Sequence, residues 1–182
     1  MEIILEKAAK IRLVVFDVDG VLTDGSLYIG EDGQEYKAFY ARDGMGLKML
    51  QASGISIGII SARNSPVVTH RMRSLGIEHV FQGQSDKLVA FQQLCQQMQL
   101  QSYQVAYVGD DVNDVPVMLQ AGLAIAVADA HALVIKHSHW QTQANGGRGA
   151  AREICELIMQ AQGTLDVQLN SFIISSAKEN VS

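Results

Sequence analysis

The chain has 182 residues, of which 48% are apolar and 18% are charged, and its formal net charge is −5. This length and composition fit one globular domain and exclude wholesale disorder, while the scattered Lys and Arg residues argue against binding to nucleic acid or an anionic membrane surface. We expect neither a signal peptide nor an apolar run of membrane-spanning length. Cys95 and Cys155 both fall in helical patterns, which favours free thiols and a cytoplasmic location.

Short apolar runs alternate with amphipathic stretches along the chain. The apolar runs predict buried strands at residues 13–16, 55–60, 79–81, 105–108 and 124–127. The amphipathic stretches predict helices at residues 44–53, 66–75, 87–98, 115–121 and 150–162. Such alternation predicts an α/β fold, a Rossmann-like parallel sheet with helices on both faces.

The first predicted strand runs directly into Asp17-Val18-Asp19-Gly20. Because alternate residues of an extended chain point the same way, Asp17 and Asp19 both face the space beyond the strand end, where ligands bind in open α/β sheets. Two anions this close resist ionising unless a cation lies between them, and Mg²⁺ is a hard ion that prefers oxygen ligands. The pair therefore predicts nucleophilic attack by one carboxylate and proton transfer by the other.

Residues 26–40 interrupt the alternation between the first strand and the first helix. They read as two strands around the turn sequence Gly30-Glu31-Asp32-Gly33, which predicts a β-hairpin above the carboxylate pair and no large cap domain. The run Gly146-Gly147-Arg148-Gly149 is interpreted as a flexible tether. Residues 164–182 show no clear period, so we predict one core of residues 1–163 followed by a mobile tail.

Polar groups also follow three later strands at the same predicted edge of the sheet. Ser61 and Arg63 follow the second strand, Lys87 opens the helix after the third, and Gly109-Asp110-Asp111-Val112-Asn113-Asp114 follows the fourth. Each has a plainer interpretation by itself, as a helix N-cap, a surface lysine or a capped helix start. Together they predict a site that holds phosphate and a metal ion.

The motifs Asp17-x-Asp19-Gly20-x-x-Thr23, Ser61, Lys87 and Gly109-Asp110-x-x-Asn113-Asp114 resemble those of the haloacid dehalogenase (HAD) superfamily of phosphohydrolases. Segments 17–25, 41–44 and 146–153 are further similar to the sub-family that acts on 3-deoxy-D-manno-octulosonate 8-phosphate (Kdo 8-phosphate), and the similarity extends over residues 13–163. One departure is Ala62, where glycine commonly precedes arginine. The resemblance implies Mg²⁺-dependent hydrolysis of Kdo 8-phosphate to Kdo and inorganic phosphate through an aspartyl-phosphate, in lipopolysaccharide precursor biosynthesis.

The resemblance also implies roles for the three acidic residues nearest the metal. Asp17 would attack phosphorus, and Asp19 would protonate the departing sugar hydroxyl and then take a proton from the attacking water. Mg²⁺ would bind the Asp17 carboxylate, the backbone carbonyl of Asp19 and the Asp110 carboxylate.

Four further residues would support this chemistry. Ser61 would hydrogen-bond a phosphoryl oxygen, Lys87 would balance the charge of Asp17 and the phosphate, and Asp111 and Asp114 would orient metal-bound waters and Lys87. The substrate carries a carboxylate as well as a phosphate, so cationic side chains and backbone N–H groups are expected around it. The predicted substrate-binding residues are Asp19, Tyr40, Ala41, Arg42, Asp43, Gly44, Lys48, Arg63, Arg71 and Lys87.

Because no large cap is predicted, a lone subunit would leave the site open to water. The resemblance implies a homotetramer built through the hairpin, with active sites shared between subunits, and Arg148 and Arg152 could reach a neighbour's site. Three alternatives stay open: a phosphatase for a sialic-acid-type nonulosonate 9-phosphate, a phospho-accepting receiver domain, and a catalytically inactive scaffold. A receiver carries its phosphorylated Asp after a later strand, whereas the acidic pair here follows the first.

Overall fold

The computed structural model describes the backbone of residues 1–179 and the side chains of residues 1–173. Its strands are β1 (Leu13–Phe16), β2 (Tyr28–Ile29), β3 (Glu35–Tyr36), β4 (Ser56–Ile60), β5 (His79–Phe81), β6 (Val105–Gly109), β7 (Leu123–Ala126) and β8 (Trp140–Gln141). Six of them form one sheet in the order β5-β4-β1-β6-β7-β8, and every neighbouring pair in it is parallel. The predicted parallel α/β sheet is confirmed.

The central strands are apolar on both faces because helices cover the sheet on both sides. All residues of β1, β6 and β7 are buried, which is the pattern of parallel strands between two helical layers. In the register of the sheet, Phe16 at the end of β1 lies beside Ile59 of β4 and Val108 of β6. The residues that follow these three strands therefore emerge at one edge.

The helices predicted from the sequence begin and end close to the expected positions. In chain order, the α-helices are α1 (Glu2–Ala8), α2 (Ala41–Ala52), α3 (Pro66–Leu75), α4 (Lys87–Gln97), α5 (Val115–Met118), α6 (Ala132–His137), α7 (Ala150–Ala161) and α8 (Leu165–Glu179). Helix α2 packs against α7, and α4 packs against α5. None of the helices within residues 1–179 combines the length and the apolar composition that crossing a bilayer requires.

Among the α-helices and strands of the described residues, α1, α6, β8 and α8 lie where the sequence predicted no element. Helix α8 occupies most of the segment in which the sequence shows no clear period. The mobility of this tail stays a prediction, and residues 180–182 lie outside the described residues.

The hairpin expected after the first strand is present. Strands β2 and β3 pair antiparallel in a separate two-stranded sheet, with Tyr28 opposite Tyr36. Lys37, which follows β3, bonds to Asp19 in the loop after β1. The hairpin is thereby held over the edge of the main sheet at which β1, β4 and β6 end.

Candidate active site

The loop after β1 is held in a fixed turn that presents Asp17. The Asp17 N–H donates to the Val108 carbonyl at 3.1 Å, which continues the pairing of β1 with β6. The Thr23 hydroxyl donates to the Val18 carbonyl and accepts the Gly25 N–H, both at 3.3 Å. Asp17 is thus anchored through its backbone and only 5% exposed, with its carboxylate at the floor of a cleft.

This cleft has a volume of about 350 Å³ and lies at the edge where the strands end. The structure brings together in it most of the polar groups predicted from four separate segments. The lining residues are Asp17, Asp19, Gly25, Leu27, Ser61, Ala62, Arg63, Lys87, Asp110, Asp111 and Asn113.

Lys87 is a buried cation between two carboxylates. Its Nζ lies 2.9 Å from Asp17 Oδ2 and 2.7 Å from Asp114 Oδ1, and the residue is 3% exposed. Burial alone would lower the pKa of Lys87, but the attraction of Asp17 and Asp114 outweighs it and raises the pKa above its ordinary value. Lys87 is therefore charged at neutral pH and held against the candidate nucleophile.

Asp114 uses all of its acceptor capacity inside the protein. Its Oδ1 accepts hydrogen bonds from Lys87 and from the Tyr107 hydroxyl, both at 2.7 Å. Its Oδ2 accepts the N–H groups of Asp110 and Asp111, at 3.0 and 3.2 Å. A carboxylate has about four lone-pair positions, so Asp114 supports Lys87 and the acidic loop rather than offering a free oxygen. Sequence reasoning missed Tyr107, because an aromatic residue in a buried strand indicates core packing.

Asp17, Asp110 and Asp114 each place one carboxylate oxygen within 4.8 Å of the others. Burial, followed by repulsion from Asp114 and partly offset by Lys87, raises the pKa of Asp17 to about 7. Burial, followed by repulsion from Asp17 and Asp114, raises the pKa of Asp110 to about 8. One lysine does not balance three carboxylates, so a further cation would stabilise the ionised cluster.

The Asp110 side chain offers a buried oxygen that a metal ion could bind. Its Oδ1 is buried and has no hydrogen-bond partner among the described residues. Such an oxygen is costly unless something binds it. Since Asp114 is fully engaged, the oxygens of Asp17 and Asp110 that face the cleft are the ones free to bind an ion. Hard oxygen ligands at a partly open site fit Mg²⁺.

Mg²⁺ binding should release protons and strengthen as the pH rises. Below their pKa values of about 7 and about 8, Asp17 and Asp110 hold protons in the metal-free protein, and these must leave before the carboxylates bind a cation. We expect Mg²⁺ affinity to rise between about pH 6 and 8 and to level off above about pH 9. Isothermal titration calorimetry in two buffers of different ionisation enthalpy measures the protons released, and an affinity independent of pH would contradict the expectation.

Gly20 leaves room for the Asp110 carboxylate. A Cβ at this position would lie 2.0 Å from Asp110 Oδ2. The Gly20→Ala substitution should therefore displace Asp110 and weaken Mg²⁺ binding by at least about 10-fold, as disturbing the setting of a metal ligand typically does. The shift in melting temperature on adding Mg²⁺ measures this loss.

Gly54→Ala is the matched control for that variant. Gly54 has φ of +93° against +94° for Gly20, but no atom of the described residues lies within 4 Å of a Cβ placed on it. Both alanine variants therefore place a side chain at nearly the same positive φ, and the Gly20 variant adds the contact with Asp110. Equal Mg²⁺ responses of the two variants would show that the contact with Asp110 does not matter.

Ser61 and Asp111 occupy the rim of the same cleft. Ser61 is 2% exposed, its N–H donates to the Phe81 carbonyl at 2.9 Å, and its hydroxyl accepts the Arg63 N–H at 3.3 Å. Asp111 Oδ1 accepts the Val112 N–H at 2.7 Å, so this carboxylate caps the single 3₁₀ turn formed by residues 112–114. Its predicted role in orienting metal-bound waters stays a prediction.

The predicted substrate-binding residues fall into separate groups. Asp19, Arg63 and Lys87 line the cleft. Four others line a depression beside the start of α2, and the remaining three are exposed on that helix. The depression contains Tyr40, Asp43, Gly44 and Arg71, and the exposed residues are Ala41, Arg42 and Lys48.

Asp43 has a partner inside the protein. Its carboxylate accepts the N–H groups of Gly149 and Arg152, at 3.2 and 2.9 Å, and so caps α7 from the neighbouring helix. Burial raises the pKa of Asp43 above its ordinary value. These contacts give Asp43 a structural role that its motif did not reveal.

The hairpin contributes two charged residues that sequence reasoning missed. Lys37 bonds to Asp19 and lies 3.1 Å from Glu35 Oε1. Arg63 lies 2.8 Å from the same Glu35 oxygen and 3.8 Å from Asp19 Oδ2. Asp19, Glu35, Lys37 and Arg63 together form what we call the Asp19 cluster.

The chain as a whole is similar to known phosphatases. The haloacid dehalogenase-like hydrolase family matches residues 76–154. The 3-deoxy-D-manno-octulosonate 8-phosphate phosphatase of Yersinia pestis is 50% identical over 163 residues, which are 90% of this chain and 87% of that protein. Its crystal structure matches this chain with a TM-score of 0.90. The match covers 91% of this chain and 89% of that structure.

A second structure of the same kind was determined with ligands bound. The 3-deoxy-D-manno-octulosonate 8-phosphate phosphatase of Moraxella catarrhalis was crystallised in complex with a magnesium ion, a phosphate ion and Kdo. It is 41% identical to this chain, has a TM-score of 0.93, and the match covers 94% of this chain and 99% of that one.

Proposed function

The chain belongs to the family of 3-deoxy-D-manno-octulosonate 8-phosphate phosphatases, a branch of the haloacid dehalogenase-like hydrolases, and we propose that it hydrolyses Kdo 8-phosphate to Kdo and inorganic phosphate with Mg²⁺. The observation that carries the proposal is the convergence of Asp17, Lys87 and Asp110 in one cleft, with one Asp110 oxygen that has no hydrogen-bond partner among the described residues.

Asp17 acts as the nucleophile. Its carboxylate is anchored by the backbone of β1 and held by Lys87 at 2.9 Å, so it is oriented before the substrate arrives. Attack on phosphorus forms an aspartyl-phosphate and breaks the bond to the sugar oxygen. When bound by Asp17, the Asp19 carbonyl and Asp110, Mg²⁺ supplies positive charge for the phosphoryl oxygens.

Asp19 moves the protons of both half-reactions. It donates a proton to the departing sugar oxygen, and as a carboxylate it then accepts one from the water that cleaves the aspartyl-phosphate. Its side chain is 21% exposed, so it reaches both the cleft and solvent. Asp17 is more deeply buried, and this difference in setting supports the division of roles.

Ser61, Lys87 and Arg63 bind the anionic substrate. The Ser61 hydroxyl can donate to a phosphoryl oxygen while it accepts the Arg63 N–H. Lys87 neutralises charge at the buried end of the cleft. Arg63 is 47% exposed at the cleft mouth, where its guanidinium can meet the sugar carboxylate.

Phosphate release from two sugar phosphates tests the assignment. We expect a higher kcat/KM with Kdo 8-phosphate than with a nonulosonate 9-phosphate, and no turnover after EDTA treatment until Mg²⁺ is restored. The named relatives favour the first substrate. A higher kcat/KM with the nonulosonate would reassign the substrate, and a lasting phosphoryl-protein without turnover would indicate a receiver.

A homotetramer built through the hairpin is part of the same proposal. Four large apolar side chains of the hairpin are between 47% and 64% exposed, which suits burial against another subunit: Leu27, Tyr28, Ile29 and Tyr36. Light scattering should give four times the mass of one chain. Ile29→Asp should lower that mass, whereas Ile3→Asp, at a similarly exposed position on α1, should not.

A cytoplasmic location is also proposed. Both cysteines are free, which suits a reducing compartment. Cell fractionation tests this, and recovery in the periplasmic fraction would contradict it.

A further inference from the structure

Lys37 is a buried cation that the proposed chemistry does not use. Its side chain is 1% exposed, and its Nζ contacts one carboxylate on each side, Asp19 Oδ1 and Glu35 Oε1. It is not among the described residues that line the cleft. A lysine so enclosed cannot reach a substrate without breaking both contacts. Its role must therefore depend on its contacts within the protein, with Asp19 and Glu35.

The Asp19 cluster alternates two anions with two cations. Arg63 Nη2 contacts the same Glu35 oxygen as Lys37, at 2.8 Å, and Arg63 Nε lies 3.8 Å from the second Asp19 oxygen. Burial works against the charge of Glu35, but the nearby Ser65 hydroxyl, Lys37 and Arg63 hold the pKa of Glu35 below its ordinary value. Glu35 is therefore an anion at neutral pH and keeps Lys37 in place.

The two cations of the cluster differ in freedom. Arg63 is 47% exposed, whereas Lys37 is 1% exposed. An exposed guanidinium can turn toward a substrate, but a buried ammonium between two carboxylates stays where its partners hold it. Lys37 is the fixed contact of Asp19, and Arg63 is the adjustable one.

A general acid works only when its carboxyl group is held near the atom to which it gives a proton. The Asp19 side chain is 21% exposed, and its carboxylate forms ion pairs with Lys37 and Arg63, neither of which belongs to its own loop. We propose that Lys37 is a positioning residue that fixes the Asp19 carboxylate for proton transfer, and that Glu35 holds Lys37 for this purpose. The inference rests on the proposed function, because it assigns Lys37 to the same reaction.

A double-mutant cycle between Lys37 and Asp19 tests the inference. Lys37→Met should lower kcat on Kdo 8-phosphate by about 10-fold to 100-fold, with little change in KM, because the acid is misplaced and not the substrate. In the Asp19→Asn background the same substitution should change kcat by no more than about 2-fold, since Lys37 acts through Asp19. Lys37→Arg keeps the charge and should recover part of the loss.

Lys10→Met is the matched control and should leave kcat unchanged. It removes an exposed lysine before the N-terminal end of β1, whereas the cleft lies beyond the C-terminal end of that strand. Absence of wild-type turnover would reject the proposed function, whereas normal wild-type turnover with an equally active Lys37→Met would reject the role of Lys37 alone. A rise in KM at constant kcat would make Lys37 a substrate ligand, and an equal loss in both backgrounds would show that Lys37 does not act through Asp19. Either result would overturn the inference.

Glu35→Gln provides a second route if Lys37→Met fails to fold by circular dichroism. It keeps the shape of the side chain but loosens Lys37, so we expect a smaller fall in kcat that disappears in the Asp19→Asn background. A fall of equal size in both backgrounds would overturn the inference.

Discussion

Asp17→Asn should lower phosphate release from Kdo 8-phosphate by more than about 1000-fold, because removing a catalytic nucleophile is among the costliest changes to an enzyme. The amide cannot form the acyl-phosphate, and it also removes one negatively charged metal ligand. The measurement is the steady-state rate of phosphate release at saturating Mg²⁺. A variant that keeps a tenth of the wild-type rate would contradict the role of Asp17.

The fold of this variant should survive. Burial and Asp114 raise the pKa of Asp17 to about 7, so a substantial share of the metal-free protein carries neutral Asp17 near neutral pH, and Asn resembles that form. Lys87 keeps Asp114 as its partner at 2.7 Å. We expect the melting temperature without metal to stay within a few degrees of wild type, and the rise on adding Mg²⁺ to be lost. Asp166→Asn, at an exposed position in α8, should show neither change.

The sheet and the polar edge could be predicted because their signals are local. Buried parallel strands read as short apolar runs, and the residue after each run must lie at the carboxyl edge. From the sequence alone, this reasoning predicted Asp17, Ser61, Lys87 and Asp110 at one edge of the sheet. Strand β8 has only two residues, so it leaves no period to recognise.

Residues that act through distant contacts could not be identified in this way. Lys37 follows a hairpin strand and has no motif around it, yet it meets Asp19 across 18 positions of sequence. Tyr107 alternates with apolar neighbours in β6, and only the position of Asp114 shows that its hydroxyl has a partner. Their roles depend on the packing of the hairpin and of the sheet.

The role of the glycine-rich segment before α7 also depends on contacts with residues distant in sequence, which sequence patterns do not reveal. Its interpretation as a flexible tether is wrong, because the Gly147 N–H donates to the Val21 carbonyl at 2.9 Å and the Gly146 N–H donates to Asp129 at 2.9 Å. A Cβ at Gly146 would lie 1.7 Å from the Gly20 carbonyl oxygen. The glycines here permit close approach to the catalytic loop rather than flexibility.

Helix α2 begins at Ala41, three residues earlier than predicted, and contains two glycines. Gly44 and Gly46 lower the helical propensity of this stretch. In the fold, a Cβ at Gly44 would lie 2.2 Å from Arg71, and one at Gly46 would lie 2.9 Å from Arg152. Tertiary packing therefore requires the residues that local propensity disfavours.

Asp19→Asn should slow hydrolysis of Kdo 8-phosphate by about 100-fold to 10,000-fold, the usual contribution of general acid–base catalysis. The sugar alkoxide is a poor leaving group without a proton, and the water that attacks the aspartyl-phosphate then lacks a base. An aryl phosphate separates the two steps, since its phenolate departs without protonation. We expect the variant to release about one equivalent of phenol per active site in a burst, and then to turn over slowly while Asp17 stays phosphorylated.

The burst distinguishes a missing base from a damaged site. Misfolding would lower the burst amplitude, whereas loss of the base leaves the amplitude near one per site and slows only the following phase. Asp24→Asn is the control in the same loop. In the wild-type protein Asp24 Oδ1 accepts the Ser26 N–H at 3.1 Å, and the amide oxygen of the variant can still accept it. Acid quenching with a phosphorus-labelled substrate detects the trapped phosphoryl-protein directly. If the variant dephosphorylates at the wild-type rate, another residue activates the water, and the division of roles between Asp17 and Asp19 fails.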